Sequence, residues 1–325
     1  MNRGVANKTY FFLARLLLLL LSIYFLIRII DFNLVFKIIA SMPLYVVVAL
    51  VVIGIGRTWL TGLRWRFLNP DVTAQLKAWH YFRFAMIAHT FNLVMPGALG
   101  GDFVKTAFTL KAVEHHRIHN VMAIILDRFV GLLSILFLGT VAFLLLSDIP
   151  DKTAFYTYFG ILYGILIVLI VLALNSHLHK LLISCFARLG KIGLWLNNVI
   201  SIWKETVKYF SLNKRKVFHA GLICLPIHLA SFCTTYYLAV MLNIRISFLE
   251  ISLITSLVWI VTAVPITISG AGIREFSMIY LLSLYGIEGE LATALSLYTY
   301  IISIILGLIG LLFMVEWGKY ISKFS

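Results

Sequence analysis

Long apolar runs recur along this chain, and their lengths are those of membrane spans. A helix needs about 20 consecutive apolar residues to cross the hydrocarbon core of a bilayer. Six windows read as full spans: 10–30, 44–63, 121–146, 154–174, 217–242 and 292–315. The first contains the unbroken leucine run from Leu16 to Leu21. It is too long for a signal peptide and no small-residue cleavage site follows it, so it reads as a retained anchor.

Two more apolar segments, 79–110 and 249–285, do not read as simple crossings. The first begins and ends at basic positions. The second starts near an outward turn and ends before Glu288. Each is therefore expected to enter and leave on a single side, the first from the cytoplasm and the second from outside. Each is also broken in the middle. The first break reads Asn92-Leu93-Val94-Met95-Pro96-Gly97-Ala98-Leu99-Gly100-Gly101-Asp102, and the second Val264-Pro265-Ile266-Thr267-Ile268-Ser269-Gly270-Ala271-Gly272-Ile273-Arg274-Glu275. Proline removes a backbone donor and clashes with the preceding turn, while glycine admits the φ values of a non-helical break. Both stretches run proline, spaced glycines, carboxylate, then renewed helix. Non-helical backbone at membrane depth is tolerated only inside protein or beside a wet cavity. Corresponding interruptions in two halves of opposite sidedness mark an inverted-repeat transporter site. The plainer alternative is two loops that happen to be rich in glycine.

The expected fold is an all-α polytopic membrane protein, a single transmembrane domain over 1–325. It has about six full spans plus two re-entrant broken helices in two inverted-topology halves, 1–175 and 217–325. The joining segment 176–216 places Leu178, Leu181, Leu182, Cys185, Leu189, Ile192 and Leu196 at helical spacing, with Lys180, Arg188, Lys191 and Lys204 between them. That pattern predicts an amphipathic helix lying on the cytoplasmic surface.

Composition strengthens this picture, because 62% hydrophobic and 12% charged residues exclude a water-soluble globule of this size. A net charge of +14 would suggest nucleic acid in a soluble protein, but here the placement of the charges matters more than their sum. Basic residues cluster at Arg3, Lys8 and Arg15; at Arg64, Arg66 and Lys77; at Lys105, Lys111 and Arg117; through 180–216; and at Lys319 and Lys323. The positive-inside rule makes those segments cytoplasmic and puts the acidic turns 148–151 and 288–290 outside. Both termini are then cytoplasmic, in a cytoplasmic (inner) membrane. No basic stretch is interleaved with aromatics as a nucleic-acid surface would be. Cys185, Cys224 and Cys233 lack metal-ligand spacing and read as small buried hydrophobes. His115, His116 and His119 sit in a basic loop without ligand pairing, so neither a metal nor another cofactor is expected.

Ionisable groups at membrane depth are costly and are functional candidates by default. Asp102 and Glu275 either complement the positive start of the helix after each break or take a substrate or proton role. Lys105 and Arg274 can pair with them or hold a lipid phosphate. Asp127 and Arg128 are neighbours on one helix and point to different faces, so each needs a partner elsewhere. The expectation is that Arg128 faces a central cavity and Asp127 bonds to the first broken segment. Arg57, well inside the second span, either snorkels to headgroups or faces that cavity. Arg64 and Arg66, nearer the boundary, read as headgroup contacts, and His89 and His228 as packed, hydrogen-bonded histidines.

The stretch Pro96-Gly97-x-Leu99-Gly100-Gly101-Asp102, the pair Asp127-Arg128, and the stretch from Pro265 through Gly270 and Gly272 to Glu275 resemble the membrane region of lysylphosphatidylglycerol synthases. The same region is the flippase-like domain of many stand-alone membrane proteins, and the resemblance covers essentially the whole chain. It implies a lipid translocase fold with two inverted halves and re-entrant helices. No aminoacyl-transferase domain precedes Ser325, so this chain alone is not expected to synthesise lysyl-lipid.

The expected function is transport rather than catalysis: movement of a phospholipid or a lipid-linked phosphate or glycan precursor across the membrane. Expected partners are anionic phospholipid or polyprenyl-phosphate-linked lipid, with a lipid-modifying enzyme or a second copy of the chain as candidate protein partners. No phosphate-binding Gly-x-x-x-x-Gly-Lys-Ser/Thr loop is present, so transport would run on the lipid gradient or on ion or proton coupling through Asp102, Asp127 or Glu275. A membrane-embedded transferase for lipid-linked substrates and a non-transporting scaffold for a lipid-modifying enzyme are the alternatives.

Overall fold

A computed structural model describes residues 32–69, 76–94, 100–102, 104–106, 117–175, 197, 201, 204–209, 211–264, 267 and 269–321. The principal helices in these residues are α1 (Phe32–Ala40), α2 (Leu44–Leu68), α3 (Ala78–Val94), α4 (Arg117–Leu145), α5 (Lys152–Leu174), α6 (Lys214–Met241), α7 (Phe248–Ala263), α8 (Ile273–Ser283) and α9 (Gly289–Ile321). No strand occurs among the described residues. Local chemistry sets several of the starts. Pro43 precedes α2 in extended backbone. Asp151 Oδ1 accepts the Ala154 N–H at the start of α5. Ser247 and Glu250 form a reciprocal capping box on α7, with bonds of 3.2 and 2.7 Å.

Four helices are long and apolar enough to cross a membrane: α2, the Met122–Leu145 part of α4, α6, and the Gly289–Met314 part of α9. They coincide with four of the six spans expected from the sequence, 44–63, 121–146, 217–242 and 292–315. The expected span 154–174 falls on α5, Lys152–Leu174, and the span 10–30 lies outside the described residues. The amphipathic segment 176–216 also lies largely outside them. Large apolar side chains point outward, with Leu44 at 77%, Leu144 at 72% and Leu312 at 69% exposure. That is the surface of a protein whose solvent is lipid.

The helices approach closely where side chains are small. α3 lies between α2 and α9. Thr90 Oγ1 donates to Gly307 O of α9 at 2.6 Å, and a Cβ on Gly310 would overlap the Met86 carbonyl of α3. Gly62 of α2 meets the backbone of α3 at Tyr81 and Phe82. α4 packs on α7 where Gly139 faces Ser256, and α6 packs on both α2 and α4. Small residues at crossings are how membrane helices gain packing without a hydrophobic driving force between them.

In both interrupted segments the described residues after the break lie against the helix that precedes it. After α3, helix resumes at Gly100, and the Gly101 N–H donates to Asn92 Oδ1 at 2.7 Å. A Cβ on Gly101 would lie 2.8 Å from that of Ala88, so the returning chain lies directly against α3. Pro96 and its neighbours 95–99 are outside the described residues. After α7 the chain passes through Ser269, Gly270 and Gly272 at φ of 54°, 72° and 83°. Left-handed backbone of this kind is what glycine supplies without steric cost. Gly270 abuts Thr262, and α8 then packs on both α7 and α9. Pro265 is outside the described residues.

Candidate functional site

The return of the first interrupted segment brings two carboxylates and three cations together. Arg64 of α2 donates to Asp127 of α4 through Nε to Oδ1 at 2.6 Å and Nη2 to Oδ2 at 3.0 Å, a bidentate pair. Its Nη1 reaches the sulfur of Cys224 on α6 at 3.2 Å. Gly131, one turn past Asp127, lies beside the guanidinium. Lys105 Nζ stands 3.8 Å from Asp127 Oδ2 and 3.8 Å from Asp102 Oδ1, and 5.5 Å from the centre of the Trp65 ring. Arg128 Nε donates to Asp102 Oδ2 at 2.6 Å.

The second interrupted segment carries its own cluster. Glu275 Oε2 accepts the Gly272 N–H at 2.7 Å and so caps α8. Its Oε1 takes Arg274 Nη2 at 2.6 Å and the Ser296 hydroxyl of α9 at 3.1 Å. The Arg274 guanidinium also lies 4.6 Å from the Tyr300 ring centre.

Between the clusters, two adjoining cavities of about 430 and 260 Å³ open among α2, α3, α4, α6, α7 and α9. Arg57, His89, Asn92, Arg128, Ser231 and Trp259 line both. Arg57 differs from the other cations here. Its Nε is buried without a hydrogen-bond partner among the described residues. His89 Nε2 lies 3.0 Å from the Thr58 hydroxyl, which itself donates to Gly54 O, so the ring N–H is the donor. His228 Nε2 donates to Gly131 O at 3.2 Å. Both histidines are hydrogen-bonded, as the sequence predicted, but both also line the larger cavity.

Several expectations change. The hydrogen bonds to Asp127 come from Arg64 rather than from the first broken segment, whose contact with it is the Lys105 ion pair. Arg128 does line the cavity, but it is also the residue that grips that segment, at Asp102. Arg64 is buried in a pair instead of reaching headgroups, because α2 continues to Leu68, beyond the expected end at 63, and carries Arg64 inward. Arg57 lines the cavity. Cys224 is buried, as expected, whereas Cys233 is exposed on the outer face of α6. Gly100 is buried in the returning helix, and Lys105 and Arg274 pair with the acids beside them. Cys185, His115 and His116 lie outside the described residues, as does the His119 side chain. The sequence reading missed Ser296 and Tyr300 as partners of Arg274. It also missed the cavity-facing hydroxyls of α6 and α9, where Ser231 and Thr235, and Thr299 and Ser303, repeat at the spacing of one helical face.

This geometry defines a polytopic helical membrane protein with a polar cavity among its helices. The chain belongs to the family of the lysylphosphatidylglycerol synthase TM region, whose sequence model matches residues 12–310. Membership makes it a membrane protein of lipid-related function. Neither a curated protein nor a solved structure matches it significantly.

Proposed function

We propose that this protein is a transporter that moves an anionic lipid across the cytoplasmic membrane, passing the headgroup through the cavity while the chains stay in the bilayer. Arg57 carries this reading: it is a guanidinium at the cavity wall whose Nε has no partner among the described residues. Around it stand Arg64, Lys105, Arg128 and Arg274, balanced among the described residues by Asp102, Asp127 and Glu275. The main barrier to lipid translocation is the dehydration of a charged headgroup. Arginine donors exchange the water around a phosphate for charge-assisted hydrogen bonds.

The two turned-back segments support a mechanism in which inverted halves, with both termini in the cytoplasm, expose the cavity alternately to each side. Asp102, held by Arg128 and Lys105, and Glu275, held by Arg274, tie each segment to its surroundings. A headgroup phosphate that competes for those cations would loosen the ties and couple binding to movement. A lipid-modifying enzyme acting next to the transporter would supply or consume its cargo.

The test is translocation of a fluorescent anionic phospholipid in proteoliposomes. Vesicles holding the purified protein are expected to transfer the label between leaflets faster than protein-free vesicles. Equal rates, with protein shown to be folded, would overturn the reading.

A further inference from the structure

The two adjoining cavities differ in chemistry, and the difference bears on which headgroup fits. The larger is lined by Arg57, Arg64, Lys105 and Arg128, with Asp127 as its carboxylate. The smaller shares Arg57 and Arg128 and adds Arg274, but its other polar lining is mostly hydroxyls, including Thr234, Thr235, Thr255, Thr262, Thr299 and Ser303. No carboxylate occurs among the described residues lining it.

Five of those six hydroxyls spend their proton on their own helix. Thr234 donates to Ala230 O, Thr235 to Ser231 O, Thr262 to Val258 O, Thr299 to Ser296 O and Ser303 to Thr299 O, all at 2.7 to 3.1 Å. A hydroxyl bound in this way keeps its lone pairs, so it meets the cavity as an acceptor. The sixth, Thr255 Oγ1, is buried with no hydrogen-bond partner among the described residues. An unmet buried hydroxyl costs stability unless something in the cavity satisfies it.

Uncharged acceptors beside three arginines suit a neutral donor. They do not suit an ammonium group, since Arg57 would repel it and the nearest carboxylates, Asp102 and Glu275, are already taken by Arg128 and Arg274. Resting on the translocase reading above, we propose that the headgroup is bipartite. Its phosphate sits by Arg57 and Arg128, and an uncharged polyhydroxyl group, a glycerol or a sugar, occupies the hydroxyl compartment and satisfies Thr255. A headgroup bearing an amine is excluded.

The test is equilibrium binding to the full chain in detergent, read by native mass spectrometry with short-chain lipids. The probes are phosphatidylglycerol, phosphatidic acid, phosphatidylethanolamine, lysylphosphatidylglycerol and a glucosyl-phosphoryl polyprenol. Phosphatidylglycerol or the sugar lipid is expected to bind about tenfold tighter than phosphatidic acid and the two amine lipids, the scale of one or two well-made hydrogen bonds. Preference for phosphatidylglycerol identifies a glycerophospholipid as the source of this chemistry, and preference for the sugar lipid a polyprenyl carrier. Thr255→Val is expected to remove most of the preference and leave phosphatidic acid binding unchanged, while Thr255→Ser retains it. Phosphatidic acid binding as tightly as the hydroxylated lipids, or an amine lipid binding tightest, overturns the proposal. Binding in detergent requires no transport. An intact preference without translocation in vesicles would therefore overturn the translocase reading alone, and translocation without a preference would overturn the bipartite headgroup alone.

Discussion

Arg64 and Asp127, 63 residues apart in sequence, are joined by two hydrogen bonds of 2.6 and 3.0 Å that fasten α2 to α4 in the wall of the larger cavity. Both side chains are at least nine-tenths buried. Removing one member of such a pair leaves the other charge stranded and costs about 3–5 kcal/mol, whereas removing both can be close to neutral. Asp127→Ala is expected to lower the melting temperature in detergent sharply. The double variant Arg64→Leu with Asp127→Leu is expected to recover much of the loss. A double variant whose loss equals the sum of the two single losses would show that the residues act independently.

The α3–α9 crossing sets a second expectation. Any side chain at Gly310 collides with the Met86 carbonyl, which is backbone and cannot rotate away. Gly310→Ala should cost about 1–3 kcal/mol, the usual cost of overpacking. Gly160 and Gly164 of α5 have open space where a Cβ would stand, so alanine there should be neutral or slightly stabilising. Thermal unfolding of the three variants side by side checks the contrast.

A third expectation concerns Gly272, whose φ of 83° starts α8 and presents the N–H that Glu275 accepts. Gly272→Ala forces a side chain into backbone that L residues rarely adopt, at about 1–3 kcal/mol. Since that backbone also positions Arg274 and Glu275, translocation should fall along with stability. Unchanged melting and unchanged transport would show that the turn tolerates a Cβ.

The cysteines make a fourth test. Cys233 faces outward and Cys224 is buried under Arg64. In a Cys185→Ser background, a lipid-soluble thiol reagent is expected to modify Cys233 and leave Cys224 intact, as peptide mass spectrometry would show. Equal modification of both would place α6 in a different rotation.

Much of this architecture was legible in the sequence. A span must satisfy its backbone internally and show lipid an apolar surface, so α2, α4, α6 and α9 stand out as long apolar runs. The breaks after α3 and α7 were legible for the converse reason, since proline and clustered glycine undo a helix wherever they fall. Which charges pair was not legible. Asp127 meets Arg64 through the lateral packing of α2 and α4, and no periodicity within either helix encodes that. Arg64 itself was misplaced because hydropathy fades at 63 while the helix runs on to Leu68. The exposure of Cys233 was equally hidden, because lipid-facing and core-facing positions of a membrane helix are both apolar.

The central claim is that Arg57 receives the headgroup phosphate during translocation. The most direct measurement is the leaflet-transfer rate of a fluorescent anionic phospholipid in proteoliposomes carrying wild-type protein, Arg57→Gln, or Lys152→Gln as an exposed control. Arg57→Gln has no described ion pair to break, so it should fold and melt like the wild type yet transfer lipid at least tenfold more slowly, with Lys152→Gln unaffected. An Arg57→Gln protein that transfers lipid at the wild-type rate would contradict the account.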